Sequence, residues 1–453
     1  MKRNQKTVKP AVTALMAAAL TLVPLTGCTT AQTYHMKDID YFNVDSYTWA
    51  LNLDSALGKN ATNHSYVAFV KADGSSQLLM RDKETGGRLI WDREGLYASD
   101  MYADYRVLPD GEVVSADARR APLTRAVAAV QNSNLVAAVQ AGTAEKDQSG
   151  QQVVLSEPRQ SRSFTVPSDT EYSLLSACGL NVYAAKVESD NPGAGQSLWV
   201  DSILEASQPS HHYVASQPLP LFSADLAASD APCWDGKIHF LATQWGQTVT
   251  PGFSDQSEEF SQLAYRDADN LRIVPALGTI DTLHRTIHFT PLRQADGRVF
   301  RTSAADLRVA AYSSQSLSLE GDEGVPQLYW INGDGQVLRT NIQSGVTETL
   351  PVQLPGATEA TSSTVEAPAS TPEVTGESSP KGQAAAAYTR YYLTASTDAL
   401  TILSVTVGQA EKAATITKIS KRDGSQILQR KVTGLEKVEA DIRIAGIAEN
   451  PAK

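Results

Sequence analysis

The histidines and cysteines are the residues of this chain whose chemistry depends most on spacing. His284-Arg-Thr-Ile-His288 sets two imidazoles four residues apart. On one helix face that spacing would hold zinc, with a glutamate after the first histidine as general base. Arg285 stands there instead, and the Thr279-Ile280 and Ile287-His288-Phe289 flanks read as strand, so no metal is expected. His211-His212 fails for another reason, because adjacent side chains on a strand point to opposite faces and do not readily share an ion. Asn332-Gly333-Asp334-Gly335 has the composition of a calcium loop, but Trp330 and Asn341 occupy its first and twelfth positions. A hairpin turn is the better reading.

Catalytic constellations are equally sparse. There is no Gly-x-Ser-x-Gly elbow and no phosphate loop. Among the 50 acidic residues, Asp201, Asp225, Asp235 and Asp281 fall near strand starts. Two or three such carboxylates converging on one channel would suit glycoside hydrolysis, but convergence is not visible in sequence. The six tryptophans are expected to pack in the core more than to form a sugar platform. No catalytic residue, metal or cofactor is therefore expected.

The first 28 residues say where the chain resides. Lys2, Arg3, Lys6 and Lys9 precede a charge-free apolar run, Ala11 to Val23, and then Leu25-Thr26-Gly27-Cys28. The run is shorter than the roughly 20 residues that span a bilayer. Its order of basic, apolar and small residues is that of an export signal and lies outside the fold. Leu25-Thr26-Gly27-Cys28 reads as a lipobox, and in this the chain resembles bacterial lipoproteins. The resemblance implies cleavage between Gly27 and Cys28, with a diacylglycerol on the Cys28 thiol. It places the protein on the extracytoplasmic face of the cell membrane, attached by lipid.

Removal of residues 1–27 takes away four basic residues and no acid, so the net charge of −11 becomes more negative. An acidic chain of this kind has no electrostatic footprint for nucleic acid. Anionic headgroups should repel it too, leaving attachment to the acyl chains, each buried methylene contributing about 0.8 kcal/mol. After Cys28 only Cys178 and Cys233 remain. An exported chain permits a bridge between them; two separate buried thiols, acting as small apolar side chains, are the alternative.

The remainder reads as strands. Ser65 to Lys71, the Asp73-Gly74 turn and Gln77 to Arg81 predict a hairpin with a primed turn, and Arg88 to Trp91 a third strand. Pro122 to Gln131 is the best helix candidate and reads equally well as strand. Asp-Gly turns recur at Asp73, Asp110, Asp235, Asp296, Asp334 and Asp423. Most of their separations lie near multiples of about 40 residues, the period of four-stranded propeller blades. Leu78 to Trp91, with Asp82-Lys-Glu-Thr85-Gly86 at its centre, resembles the repeat of quinoprotein-type propellers. Val337 to Gly345 and Ile416 to Gly424 are degraded copies. Dehydrogenases of that type stack their cofactor on adjacent, bonded cysteines, and this chain has no Cys-Cys.

The expected architecture is thus an all-β propeller of six to eight four-stranded blades with one disordered insertion. Its parts are a signal (1–27), a lipidated tether (28–45), blades (46–354), a Ser/Thr/Pro/Ala-rich disordered linker (355–387) and a C-terminal blade portion (388–453). The linker is too poor in apolar residues to offset its ordering entropy. A closed ring must also join its ends. The run Asp40 to Leu51 is expected to do this, as a strand with a bulge near Ser46 added to the blade after Tyr388. The leading functional expectation is a non-catalytic lipoprotein that binds a protein or envelope-polymer partner or scaffolds an assembly. The alternative is an exported propeller enzyme acting on glycans. A two-lobed solute-binding lipoprotein is disfavoured, since no run of β-α-β units is present.

Overall fold

Short apolar runs broken by turn residues fold here as hairpins laid side by side. The computed structural model describes residues 33–55, 62–118, 121, 123–130, 133–141, 150–166, 171–188, 196–204, 212–219, 224–226, 229–245, 263–266, 272–320, 324–357, 388–407, 413–439 and 442–453. Cys28, Gly27 and nearly all of the 355–387 linker lie outside them. Within Thr33–Lys453 the strands form seven antiparallel blades of a β-propeller.

Blade 1 contains Trp49–Ser55, His64–Val70 and Ser76–Asp82. Blade 2 runs from Ile90–Asp92 to Val113–Asp117, and blade 3 from Leu123–Ala129 to Gln160–Val166. Pro122 to Gln131 is thus strand where it is described. Blade 4 extends from Tyr172–Cys178 to His212–Leu219, with the short strand Ser229–Asp230 parallel to its first strand. Blade 5 is built on Lys237–Trp245 and Arg272–Asp281. Blade 6 runs from Leu317–Glu320 to Thr347–Thr349 and blade 7 from Tyr388–Ala395 to Gln426–Lys431. The α-helix Ala304–Arg308, capped by Ser303, precedes blade 6.

The ring closes through the chain ends, but in the opposite sense to the sequence expectation. Residues after Tyr388 complete their own four strands. The last strand, Ile442–Glu449, then crosses to blade 1 and pairs antiparallel with Trp49–Ser55, from Trp49↔Glu449 to Ser55↔Ile442. The bulge falls at Asn52/Leu53 rather than near Ser46, and Val44–Ser46 is a 3-10 turn. The described part of the 28–45 tether is also packed. Met36, Phe42 and Val44 are buried against Phe69, Leu79 and Trp91. Apolar side chains in this stretch find a blade face to cover.

Packing explains the ring. Seven apolar clusters coincide with the seven blade interfaces, from the blade 1–2 cluster around Phe69 and Trp91 to the blade 7–1 cluster around Leu403, Ile416 and Leu51. Each sheet therefore has neighbours on both faces. Trp49–Ser55 is buried at every position for this reason.

The Asp-Gly turns are not equivalent to one another. Those at Asp73, Asp110 and Asp423 join the third and fourth strands of blades 1, 2 and 7, that at Asp334 the second and third of blade 6, and that at Asp235 the first and second of blade 5. Only Asp235-Gly236 has both residues at positive φ, as a primed turn requires; at Asp73-Gly74 only the glycine does. The three quinoprotein-like copies diverge likewise. Val337 to Gly345 and Ile416 to Gly424 are third-to-fourth-strand hairpins, whereas Leu78 to Trp91 runs from the outer strand of blade 1 into the first strand of blade 2. A different repeat is structural. The Gly74 carbonyl accepts from Thr433 N–H at 2.9 Å, and the Gly345 carbonyl from Arg293 N–H at 2.9 Å. Each links a hairpin turn to the preceding blade. At both glycines φ is positive and a Cβ would strike neighbouring backbone, at the Lys431 and Pro291 carbonyls.

Cys178, ending the first strand of blade 4, is bonded to Cys233, in the short strand Cys233–Trp234 that pairs with Lys237–Trp245 of blade 5, with Cα atoms 5.3 Å apart. In the chain-entropy model a loop of this length contributes roughly 4 kcal/mol.

Candidate functional site

Inner strands bring side chains from distant parts of the chain to the propeller axis. There they line a cavity of about 230 Å³. Its walls come from Ala445–Glu449 of the closing strand, Arg88–Trp91 of blade 2 and Val127 of blade 3. Asp230 contributes from beside blade 4, Arg308–Gln315 from the approach to blade 6, and Tyr391–Thr394 from blade 7.

The polar groups of this cavity are held unequally. Glu449 is buried; its carboxylate accepts from Lys418 Nζ at 2.6 Å and from Thr401 Oγ1 at 2.7 Å. Gln315 accepts a hydrogen bond from Thr394 Oγ1 at 2.7 Å, which spans blades 6 and 7. Asp230 is 8% exposed. Its Oδ2 accepts from the Ser314 N–H at 3.1 Å, while its Oδ1 is buried without a hydrogen-bond partner. Burial raises the Asp230 carboxyl above the ordinary range, opposed mainly by the Arg88 guanidinium. Arg88 is half-buried and makes no hydrogen bond or ion pair among the described residues. The cavity thus offers one acceptor and one cation that the fold itself leaves unmatched.

A second polar cluster lies inside the wall between blades 1, 2 and 3. Arg81 is fully buried and donates to Asn52 Oδ1 and to the Ser99 carbonyl, both at 2.6 Å. Asn52 donates to Asp54 Oδ1 at 2.7 Å, and the Arg81–Asp54 ion pair is 3.9 Å long. Burial pushes the Asp54 carboxyl up to about 7 despite Arg81 and Asn52. Glu84 and Gln140 both accept from Thr124 Oγ1, which extends the network into blade 3. This is a structural brace, with every described member inside the packed wall.

Among the described side chains, the carboxylates singled out from sequence do not converge. Asp201 accepts from the Tyr172 hydroxyl at 2.6 Å inside blade 4. Asp235 stands exposed on its turn, and Asp281 accepts from His284 N–H at 2.9 Å and its ring at 2.9 Å. Asp225 falls on the short strand Ala224–Leu226. Asp201, Asp235 and Asp281 do not line the cavity. His288 is exposed on a strand apart from His284, and His212 begins a strand whose neighbour His211 is outside the described residues. Asn332–Gly335 is a hairpin turn, closed by the Gly335 N–H to Asn332 carbonyl bond at 3.1 Å. Trp49, Trp91 and Trp330 are core residues, while Trp234 is 38% exposed. Neither Asp230 nor Arg88 belongs to a motif, and no local signal distinguishes them.

Fold and cavity together define a seven-bladed propeller with an axial polar pocket. No family model and no curated protein matches the chain. Solved structures resemble it distantly. A mutant of the Synechocystis apocarotenoid oxygenase aligns with TM-score 0.43 at 8% identity, covering 87% of this chain and 91% of that one. Apo AztD from Citrobacter koseri aligns with TM-score 0.40 at 9% identity, covering 89% and 98%. The fungal Aleuria aurantia lectin, a six-bladed β-propeller, aligns with TM-score 0.37 at 10% identity, covering 87% and 97%. Likeness at this level carries no information about activity.

Proposed function

We propose that this chain is a lipid-anchored, extracytoplasmic binding module. Cys28, exposed by cleavage after Gly27, carries the acyl chains. The propeller presents its axial cavity to a partner in the cell envelope. The sequence Leu25-Thr26-Gly27-Cys28, behind a basic and then apolar run, supports the anchor.

One observation favours binding over catalysis. Glycoside hydrolysis needs a pair of carboxylates, one to protonate the leaving group and one to attack or to activate water. Among the described residues the cavity carboxylates are Asp230 and Glu449, and Glu449 is committed to Lys418 and Thr401. That leaves Asp230 as one available acidic group, enough to orient a ligand but not to divide the two roles. The tagged mature chain, mixed with purified envelope material from its own source, should co-sediment with it while reducing ends stay at the level of a protein-free control. New reducing ends accumulating with time would overturn this reading in favour of the exported glycan enzyme.

A further inference from the structure

We propose that the axial cavity binds a small zwitterion of amino-acid type, its ammonium on Asp230 and its carboxylate on Arg88. The proposal rests on the binding reading above and adds the class of ligand.

Three features of the cavity lead to it. Asp230 Oδ1 is a buried acceptor with no partner, while Oδ2 is pinned by the Ser314 N–H. An unmatched buried acceptor is costly, and a charge more so, unless a donor arrives. Arg88 lines the same cavity, near enough to pull the Asp230 carboxyl downward, yet the two form no ion pair. A gap therefore lies between a half-satisfied carboxylate, its Oδ1 without a partner, and the guanidinium. Neither of the other charged lining residues fills it: Glu449 is neutralised by Lys418, and Arg308 is exposed at the rim.

The chemistry of the gap selects among ligands. A metal ion would need several anionic or imidazole donors, and the described residues hold no group of three or more that could supply them. Sugar hydroxyls could bond to either residue but would leave both charges uncompensated. A zwitterion neutralises both through charge-assisted hydrogen bonds, which are about twice as strong as neutral ones. Ile90, Val127 and Leu393 supply an apolar wall for a side chain. The volume, about 230 Å³, lies below the roughly 300–1,000 Å³ of sites for drug-sized ligands.

Calorimetry on the full mature chain tests this with L-alanine, L-leucine and L-glutamine as zwitterions. Leucinamide serves as the cation alone, N-acetyl-leucine as the anion alone, and N-acetylglucosamine as a neutral sugar. At least one zwitterion should bind, and removing either of its charges should weaken binding tenfold or more. Asp230→Asn should abolish the advantage over the anion, and Arg88→Gln the advantage over the cation. Arg88→Gln removes no hydrogen bond or ion pair among the described residues, so it reports even if Asp230→Asn folds poorly. No response to any zwitterion, or unchanged affinity in both variants, would overturn the proposal. Binding of N-acetylglucosamine alone would overturn the zwitterion yet leave the binding module standing, whereas that module itself fails only by the co-sedimentation test.

Discussion

A chain ended after Glu439 should aggregate, or melt on the order of 10 °C or more below the parent. The missing strand, Ile442–Glu449, is paired along Trp49–Ser55 and buries Ile442, Ile444 and Ile447. Burying each isoleucine is worth about 1.5–3 kcal/mol, so the sum approaches the whole 5–15 kcal/mol stability typical of a domain. The loss would also uncover the edge of Trp49–Ser55 and strip Lys418 and Thr401 of Glu449. Thermal unfolding followed by circular dichroism reads the result. Melting coincident with the parent would show that this strand does not hold the ring closed.

The second large effect should appear with pH. The Asp54 carboxyl is held up to about 7 in the folded chain, against 3.8 for an ordinary aspartate. Because the folded state binds this proton more tightly, its stabilising contribution is complete below about pH 4 and is lost as pH rises through 7. The difference corresponds to about 4 kcal/mol. The parent should therefore melt lower at pH 8 than at pH 5. Asp54→Asn should remove most of that slope, leaving a remainder from Asp230, whose carboxyl is also raised. Acid should cut stability by the opposite route. Asp423, held at about 2 by Ser425 and Ser420, gives a contribution present above its ordinary value and lost as pH falls through 2. An equal slope for parent and Asp54→Asn would refute the assignment.

The all-β class was readable because short apolar runs such as Tyr66–Val70 and Leu78–Met80 sit on either side of an Asp-Gly turn. Blade number was less so. The Asp-Gly turns mark first-to-second, second-to-third and third-to-fourth strand connections alike, so their near-periodicity does not count equivalent positions. Arg81 shows a further limit. A polar residue in a strand ordinarily marks the solvent face, but blades stacked on both sides leave no such face, and Arg81 is fully buried. The direction of ring closure was hidden as well, because Trp49–Ser55 and Ile442–Glu449 are both plausible closing strands until their register is seen. Asp230 and Arg88 were hidden most deeply. They come together across well over a hundred residues, and nothing local to Ser229-Asp230 or Gly87-Arg88 foretells an axial cavity.

The anchored propeller is tested most directly by intact mass and fractionation of the protein made in a bacterium that lipidates its exported proteins. The expected product is a chain beginning at Cys28, heavier than the polypeptide by a diacylglycerol and its acyl modification, and recovered with membranes. Cys28→Ser should lack the added mass and leave the membrane fraction. An unmodified Cys28, or a Cys28→Ser protein that remains with the membrane, would contradict it.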